Sequence, residues 1–369
     1  MIINNTKEFK DVCKTILQAI DTSEPSIVSE TLELVTSNEN LTLAVTNREY
    51  YVTARMAVST AEDFRATVNA LLFLRLVSQL NANSLTLTID SNTLIINADG
   101  VYKLPLIYKD AELLELPKIT LDNITTEMNI SSSILNSILM YNSKELQSAK
   151  IVYKPVQKMY YVDNNGAITF TTGACVNNFT LEKPIKVLLG GKVVKLFKLF
   201  NDDTVRFELS QDVNTDNSIL TKVRFTTDNI SITAITPSDI QLIESVPVDA
   251  IRGMSNKTYD FSVVLDKECL VKSLSRLYLF KKDDLSVALQ LSFAQDGCTL
   301  NYCDNTEKLC YQDEQPSTLS YEMFLNIETL KNIVDGCVED YITLSFGDHK
   351  AIVLTRQTIK NIIPELVVR

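Results

Sequence analysis

Val68–Ile89 reads VNALLFLRLVSQLNANSLTLTI: an apolar stretch with helical spacing, a polar turn, then strand-like alternation. The same order recurs in KVVKLFKLFNDDTVRFEL from Lys192 and in NIETLKNIVDGCVEDYITLSF from Asn326. Aligning the strand starts pairs Leu85 with Val205 and Ile342, 120 and 137 residues apart. That period is domain-sized, so the chain reads as three similar domains. Boundaries are expected near Pro117, before Ile119, and near Gly253, after SVPVDAIRG. They give domains over residues 1–117, 118–253 and 254–369.

Each third also carries an earlier amphipathic segment: KEFKDVCKTILQAI from Lys7, SSSILNSILMYNS from Ser131 and KECLVKSLSRLYLFKK from Lys267. In the last, Leu270, Leu274, Leu277 and Phe280 share one helical face, and Asp266 stands where a helix cap belongs. The rest is dominated by short alternating runs such as TLELVT, LTLAVT, YVTARMAV, SLTLTID, TLIINAD and AIVLT, bounded by Asn, Asp, Ser and Gly. Two helices per third against many strands predict an α+β architecture of antiparallel sheets, each hiding one face under helices.

The 369 residues carry a net charge of −11, which taken alone argues against a nucleic-acid partner. The six expected helices (7–20, 69–81, 131–143, 190–201, 267–282 and 326–337) hold 13 basic and 5 acidic residues, so everything outside them sums to −19. Basic helices facing one way would form a surface able to follow a phosphate backbone. The densest instance is GGKVVKLFKLFN, where Lys192, Lys195 and Lys198 recur every three residues. Lysines that merely solvate an outer helix face give the same pattern one helix at a time.

Little in the sequence points to catalysis. His349 is the single histidine, and FGDHKAIVL places it at a turn entering a strand. No phosphate-binding glycine loop, HExxH or GxSxG is present. The seven cysteines are scattered. Cys298, Cys303 and Cys310 lack paired metal-ligand spacing, and most of the seven are expected to be small buried hydrophobes. Cys175 in GACVNNF has no basic neighbour in sequence to activate it. Asp202–Asp203 and Asp283–Asp284 read as solvated turn residues. No cofactor and no metal is expected. No run approaches the ~20 apolar residues of a membrane span, and MIINNTKEFK lacks the features of a secretory signal, so a cytoplasmic protein without membrane contact is expected.

The chain resembles the bacterial DNA sliding clamp, the DNA polymerase III beta subunit family, along essentially its whole length. TLELVTSNENLTLAVTNREYYVTARMAV from Thr31 is similar to that family's strand–turn–strand and the element after it, here Thr46-Asn47-Arg48-Glu49. ITFTTGACVNNFTL from Ile168 occupies the place of its Thr-Asp-Gly-His-Arg-Leu segment. MFLNIETLKNIVDGCVEDYITLSF resembles its last helix and strand, and IIPELVVR its proline-containing apolar tail. Order and spacing carry the resemblance, since no single segment is a sharp motif.

The resemblance implies three clamp-fold domains, with sheets outside and two helices per domain lining a central hole in a head-to-tail homodimer. Such a ring encircles double-stranded DNA without sequence preference and catalyses nothing. It further implies DNA-facing Lys10, Lys14, Arg75, Lys192, Lys195, Lys198, Lys272 and Arg276, and a dimer contact of Leu279 and Phe280 with Tyr102 and Leu104. A pocket for clamp-binding peptides of the DNA polymerase, the clamp loader and repair proteins would involve Thr172, Cys175, Val176, Pro247, Ile251, Asn326, Ile363, Pro364, Glu365 and Leu366. This chain departs from the family at Cys175-Val176, where a His-Arg pair is usual, and at Val367-Val368-Arg369, which extend the tail. A scaffold or peptide-binding module that kept the fold without encircling DNA is the alternative.

Overall fold

The computed structural model describes the chain except residues 24, 38, 59–62, 141–158, 171–173, 202–203, 214–218, 238–242, 282–287, 348–350, 357–358 and 367–369. Its elements run three times through one order: strand, helix, four strands, helix, three strands. The first pass is β1 (Ile2–Ile3), α1 (Thr6–Leu17), β2 (Thr31–Ser37), β3 (Asn40–Thr46), β4 (Tyr50–Ala57), β5 (Arg65–Asn69), α2 (Ala70–Gln79), β6 (Leu85–Asp90), β7 (Thr93–Asn97) and β8 (Val101–Pro105). A small hairpin of β9 (Tyr108–Lys109) and β10 (Glu112–Leu113) follows. The second pass is β11 (Ile124–Ser131), α3 (Ser132–Met140), β12 (Met159–Asp163), β13 (Gly166–Phe170), β14 (Ala174–Asn178), β15 (Lys186–Gly190), α4 (Gly191–Val194), β16 (Thr204–Val213), β17 (Ile219–Thr226) and β18 (Ile230–Thr236). A connecting helix, α5 (Val248–Asn256), leads to the third: β19 (Phe261–Asp266), α6 (Lys267–Tyr278), β20 (Leu289–Ala294), β21 (Gly297–Tyr302), β22 (Asn305–Leu309), β23 (Ser320–Leu325), α7 (Ile327–Asp335), β24 (Tyr341–Phe346), β25 (Ala351–Arg356) and β26 (Ile359–Pro364).

The register confirms the sequence alignment residue by residue. Leu85 pairs with Ile3, Val205 with Ile130 and Ile342 with Leu265, so the three aligned residues occupy one position of the repeat. The local chemistry repeats too. Asn5, Asn69, Asp266 and Asn326 each accept a backbone N–H in the first turn of the helix that follows, satisfying a donor the helix leaves over.

The chain divides into two compact units, residues 1–135 with 192–238 and residues 136–191 with 239–369. The division does not follow the sequence thirds, because strand edges join consecutive repeats. In the first unit β18 pairs with β4, fusing β16–β18 to β2–β5 in one antiparallel sheet ordered β11-β16-β17-β18-β4-β3-β2-β5. In the second, β14 pairs with β26 in a sheet ordered β15-β12-β13-β14-β26-β25-β24-β19. Of the boundaries read from sequence, 117/118 falls in the irregular stretch before β11. The other, 253/254, falls inside α5, and the third repeat's strands begin only at Phe261.

In the first unit, one face of the large sheet buries Val52, Ala54, Phe207, Phe225 and Ile232. Phe225 meets Phe197 at 4.8 Å, and Phe9 of α1 meets Phe73 of α2 at 6.2 Å. In the second unit Leu270, Leu274 and Leu277 of α6 and Leu330, Ile333 and Val334 of α7 form a core with the strands of the third repeat. The other face of that unit's large sheet has its own cluster around Tyr161, Ile168, Val176, Val353 and Ile362, covered by Val248, Ile251 and Met254 of α5.

Candidate nucleic-acid and partner interfaces

The six helices read from sequence all form within a few residues of the expected bounds; four are basic, while the segment of α3 carries no charge and that of α7 is net acidic. Lys14 and Arg75 are exposed on α1 and α2, while Lys10 is half-buried and its ammonium donates to the Leu80 carbonyl. The segment carrying Lys192, Lys195 and Lys198 is α-helical only to Val194 and then 3₁₀ over Lys195–Leu199. Three residues per turn stack Lys195 and Lys198 on one exposed face.

Lys192 departs from the reading of three equivalent lysines. It lies 2.9 Å from Asp21 and 3.7 Å from Glu49, with its side chain 25% exposed. On α6, Lys272 is exposed and pairs with Glu268 at 2.6 Å, within its own helix. Arg276 donates through Nε and Nη2 to both oxygens of Glu307 on β22, each at 2.6 Å, so its charge is shared with that strand.

At the end of α6, Leu279 and Phe280 are 81% and 50% exposed. That helix packs beside β22, an edge strand of the sheet ordered β22-β21-β20-β23. In the first unit Tyr102 and Leu104 lie on β8, the edge of the sheet ordered β1-β6-β7-β8. Tyr102 is half-buried, whereas Leu104 is already buried within its own unit, opposite Leu94.

Most of the residues expected to form a peptide pocket lie in the second unit, but they do not all face one way. Adjacent strand residues point to opposite faces. Val176 and Ile362 join the cluster under α5, to which Ile251 also belongs. Ile363 instead enters the α6/α7 core, and Cys175, half-buried, alternates away from Val176. Asn326 is half-buried and caps α7, its Oδ1 accepting the Thr329 N–H at 3.0 Å. Pro247 opens α5 exposed, Pro364 is exposed, and Glu365 and Leu366 are half-buried. The Leu366 N–H donates to the Phe324 carbonyl at 2.7 Å, fastening the tail. Thr172, His349, Asp202–Asp203, Asp283–Asp284 and Val367–Arg369 lie outside the described residues.

Sequence reasoning missed α5 and its tether. Arg252 donates through Nη1 and Nη2 to the two Asp163 oxygens at 2.8 and 2.7 Å, pinning the helix to β12. The signal for it was Val248, Ile251 and Met254 at three-residue spacing, behind Pro247. Of the seven cysteines only Cys13, Cys298 and Cys337 are buried, fewer than expected; burial pushes the Cys298 thiol up to about 12. Among the described residues no group of three metal-ligating side chains gathers, and no helix is long and apolar enough to cross a membrane.

No protein-family model matches the chain, and no curated protein matches its sequence. Solved structures match its whole length. The DNA polymerase III beta subunit of Thermotoga maritima superposes with a TM-score of 0.78 at 13% identity, covering 100% of this chain and 99% of that one. The beta subunit of Streptococcus pyogenes DNA polymerase gives 0.78 at 15%, covering 99% of each. A Bartonella birtlesii sliding clamp, DNA polymerase III subunit beta bound to griselimycin, gives 0.77 at 16%, covering 100% of each. The chain therefore has the fold of the DNA polymerase III beta subunits, at low sequence identity.

Proposed function

We propose that the protein is a DNA sliding clamp: two chains close head to tail around duplex DNA and tether a polymerase to it, with no chemistry of their own. The pairing of sheet edges carries this reading. The last strand of one repeat adds to the fourth strand of the repeat before it: β18 joins β4, and β26 joins β14. At the equivalent positions β8 and β22 are left as edges. The same contact made by a second copy joins β8 of one protomer to β22 of its partner, and two such contacts close a ring of three-domain chains. Closure covers both open edges and takes Leu279 and Phe280, beside β22, out of water. Tyr102, half-buried on β8, is placed to meet them; Leu104 supports it from within.

The helices then line the hole. Lys14, Arg75, Lys195 and Lys198 are exposed cations there, with Lys10, Lys192, Lys272 and Arg276 contributing field from positions already engaged. Because a closed ring cannot leave DNA sideways, such contacts suffice while weak and sequence-independent. The clamp loader and polymerase would be held by short peptides laid against Ile251, Pro247 and Pro364, with Val176 behind them in the buried cluster under α5. A replication clamp of this kind works in the cytoplasm.

The test is light-scattering mass with electron-microscope class averages, followed by retention on nicked circular DNA. Rings at twice 41.4 kDa that stay on the circle and run off after linearisation are expected. Monomers without a hole at high concentration, or rings equally retained on linear DNA, would overturn the proposal.

A further inference from the structure

We propose that a cleft at the seam of β18 and β4, in the first unit, is a binding site for a phosphate group. It encloses about 170 Å³, and Arg55, Arg206, Arg224, Thr226, Thr227 and Ser231 line it. Its floor is the sheet face opposite the helices. Arg206, Glu208 and Arg224 alternate along their strands with Phe207 and Phe225, which point into the core beneath Phe197.

The hydrogen-bond accounting leaves an excess of donors. Glu208 is 2% exposed and accepts from Arg206 Nη2 at 3.2 Å and from Arg224 Nε at 2.5 Å. Arg206 Nε also reaches Glu127 at 3.1 Å. Each guanidinium has five N–H donors and no acceptor, and among the described residues the terminal nitrogens of Arg224 make no hydrogen bond. Arg55 has no ion-pair partner among the described residues. Its backbone N–H donates to the Asn229 carbonyl at 2.8 Å, which fixes it beside the β17–β18 turn. Asp228, exposed at the rim, is the one lining carboxylate not matched to an arginine. Guanidinium forks from β4, β16 and β17, with hydroxyls between them, suit a tetrahedral dianion whose oxygens take bidentate donors from several directions. Glu208, held by two of the three arginines, sets their orientation before any ligand arrives.

Calorimetric titration of the full chain with inorganic phosphate and with O-phosphoserine, at ionic strength matched by sodium chloride, tests the site. Saturable binding is expected. Arg55→Ala should weaken it at least about tenfold, the order expected for losing a hydrogen bond to a charged group, and Arg55→Lys should weaken it less. Arg65→Ala, which removes an arginine engaged with Glu33 on the same face, should leave binding unchanged. Binding of both probes assigns the cleft to a phosphate carried on a larger molecule, and binding of inorganic phosphate alone assigns it to the free ion. No saturable heat, or equal loss in Arg55→Ala and Arg65→Ala, overturns the proposal. Unchanged retention of Arg55→Ala on circular DNA separates this site from the helix cations.

Discussion

Lys192, in the first turn of α4, is held 2.9 Å from the carboxylate of Asp21, which follows α1 in the first repeat. A residue that sequence spacing groups with two lysines proposed to face DNA thus ties the second repeat to the first. Burial alone would raise the Asp21 pKa, but hydrogen bonds from Ser23, Asn47 and Lys192 outweigh it and hold the carboxyl well below the usual carboxylate range. A folded-state pKa below the unfolded value stabilises the fold above the unfolded pKa, and the effect is lost as pH falls through the folded one. Lys192→Met should therefore cost about 1–2 kcal/mol at pH 7 for this partly buried pair. In urea unfolding followed across pH, the gap from wild type should narrow below about pH 4.

Lys195 and Lys198 are the exposed cations of that segment, and the proposal turns them toward DNA. Reversing both to Glu changes the local charge by four units on an exposed face, at little cost to stability. The half-life on nicked circular DNA at ~0.1 M salt should fall at least about tenfold, and binding should depend less steeply on salt. Lys192→Met should keep near-normal retention in the same measurement on circular DNA. A double reversal that leaves retention intact would remove the helices from the DNA face.

Leu279 and Phe280 make a sharper test of ring closure, since neither supports its own unit. Leu279→Asp with Phe280→Asp should leave circular dichroism and the unfolding midpoint near wild type. Light scattering should then give the mass of one chain, 41.4 kDa, in place of two. Tyr102→Ala should weaken association by a smaller factor. Leu104→Ala should instead lower stability by about 2–5 kcal/mol, as expected for a buried leucine.

What was legible in the sequence was whatever repeats locally. The helix-then-strand unit marked by Leu85, Val205 and Ile342 sits in one register position, and the Asp266 cap is where the pattern put it. What was not legible depends on partners distant in sequence. The pairing of β18 with β4 sets the compact units, yet nothing in ISITAIT or YYVTARMA marks them as neighbours. α5 was hidden because it covers the second face of a sheet whose first face already accounts for a helix layer. The candidate sites divide likewise. Helix cations followed from periodicity, but the engagement of Lys192 with Asp21 and of Arg276 with Glu307 required the fold, and so did the opposite facing of Ile362 and Ile363.

Three glycines separate backbone strain from chain entropy. Gly166 and Gly297 hold one place in two repeats, closing the β12–β13 and β20–β21 hairpins, with φ of +141° and +151°. A Cβ at Gly166 would stand 2.0 Å from the Asn177 carbonyl oxygen, and one at Gly297 would stand 2.4 Å from that of Leu309. Alanine at either should destabilise by on the order of 1–3 kcal/mol or more, because both the backbone conformation and the next strand resist it. The two should differ in assembly. Gly166→Ala presses on β14, which is already paired with β26, whereas Gly297→Ala presses on β22, the edge proposed to receive a second copy. Only Gly297→Ala should also shift the monomer–dimer balance toward monomer in sedimentation analysis. Gly253 lies within α5, where a Cβ would meet nothing within 4 Å and the backbone has no positive φ. Gly253→Ala should accordingly stabilise the chain by about 0.4–1 kcal/mol, through the entropy of the unfolded state and better helix propensity. Denaturant midpoints for the three variants, measured side by side, check both signs at once.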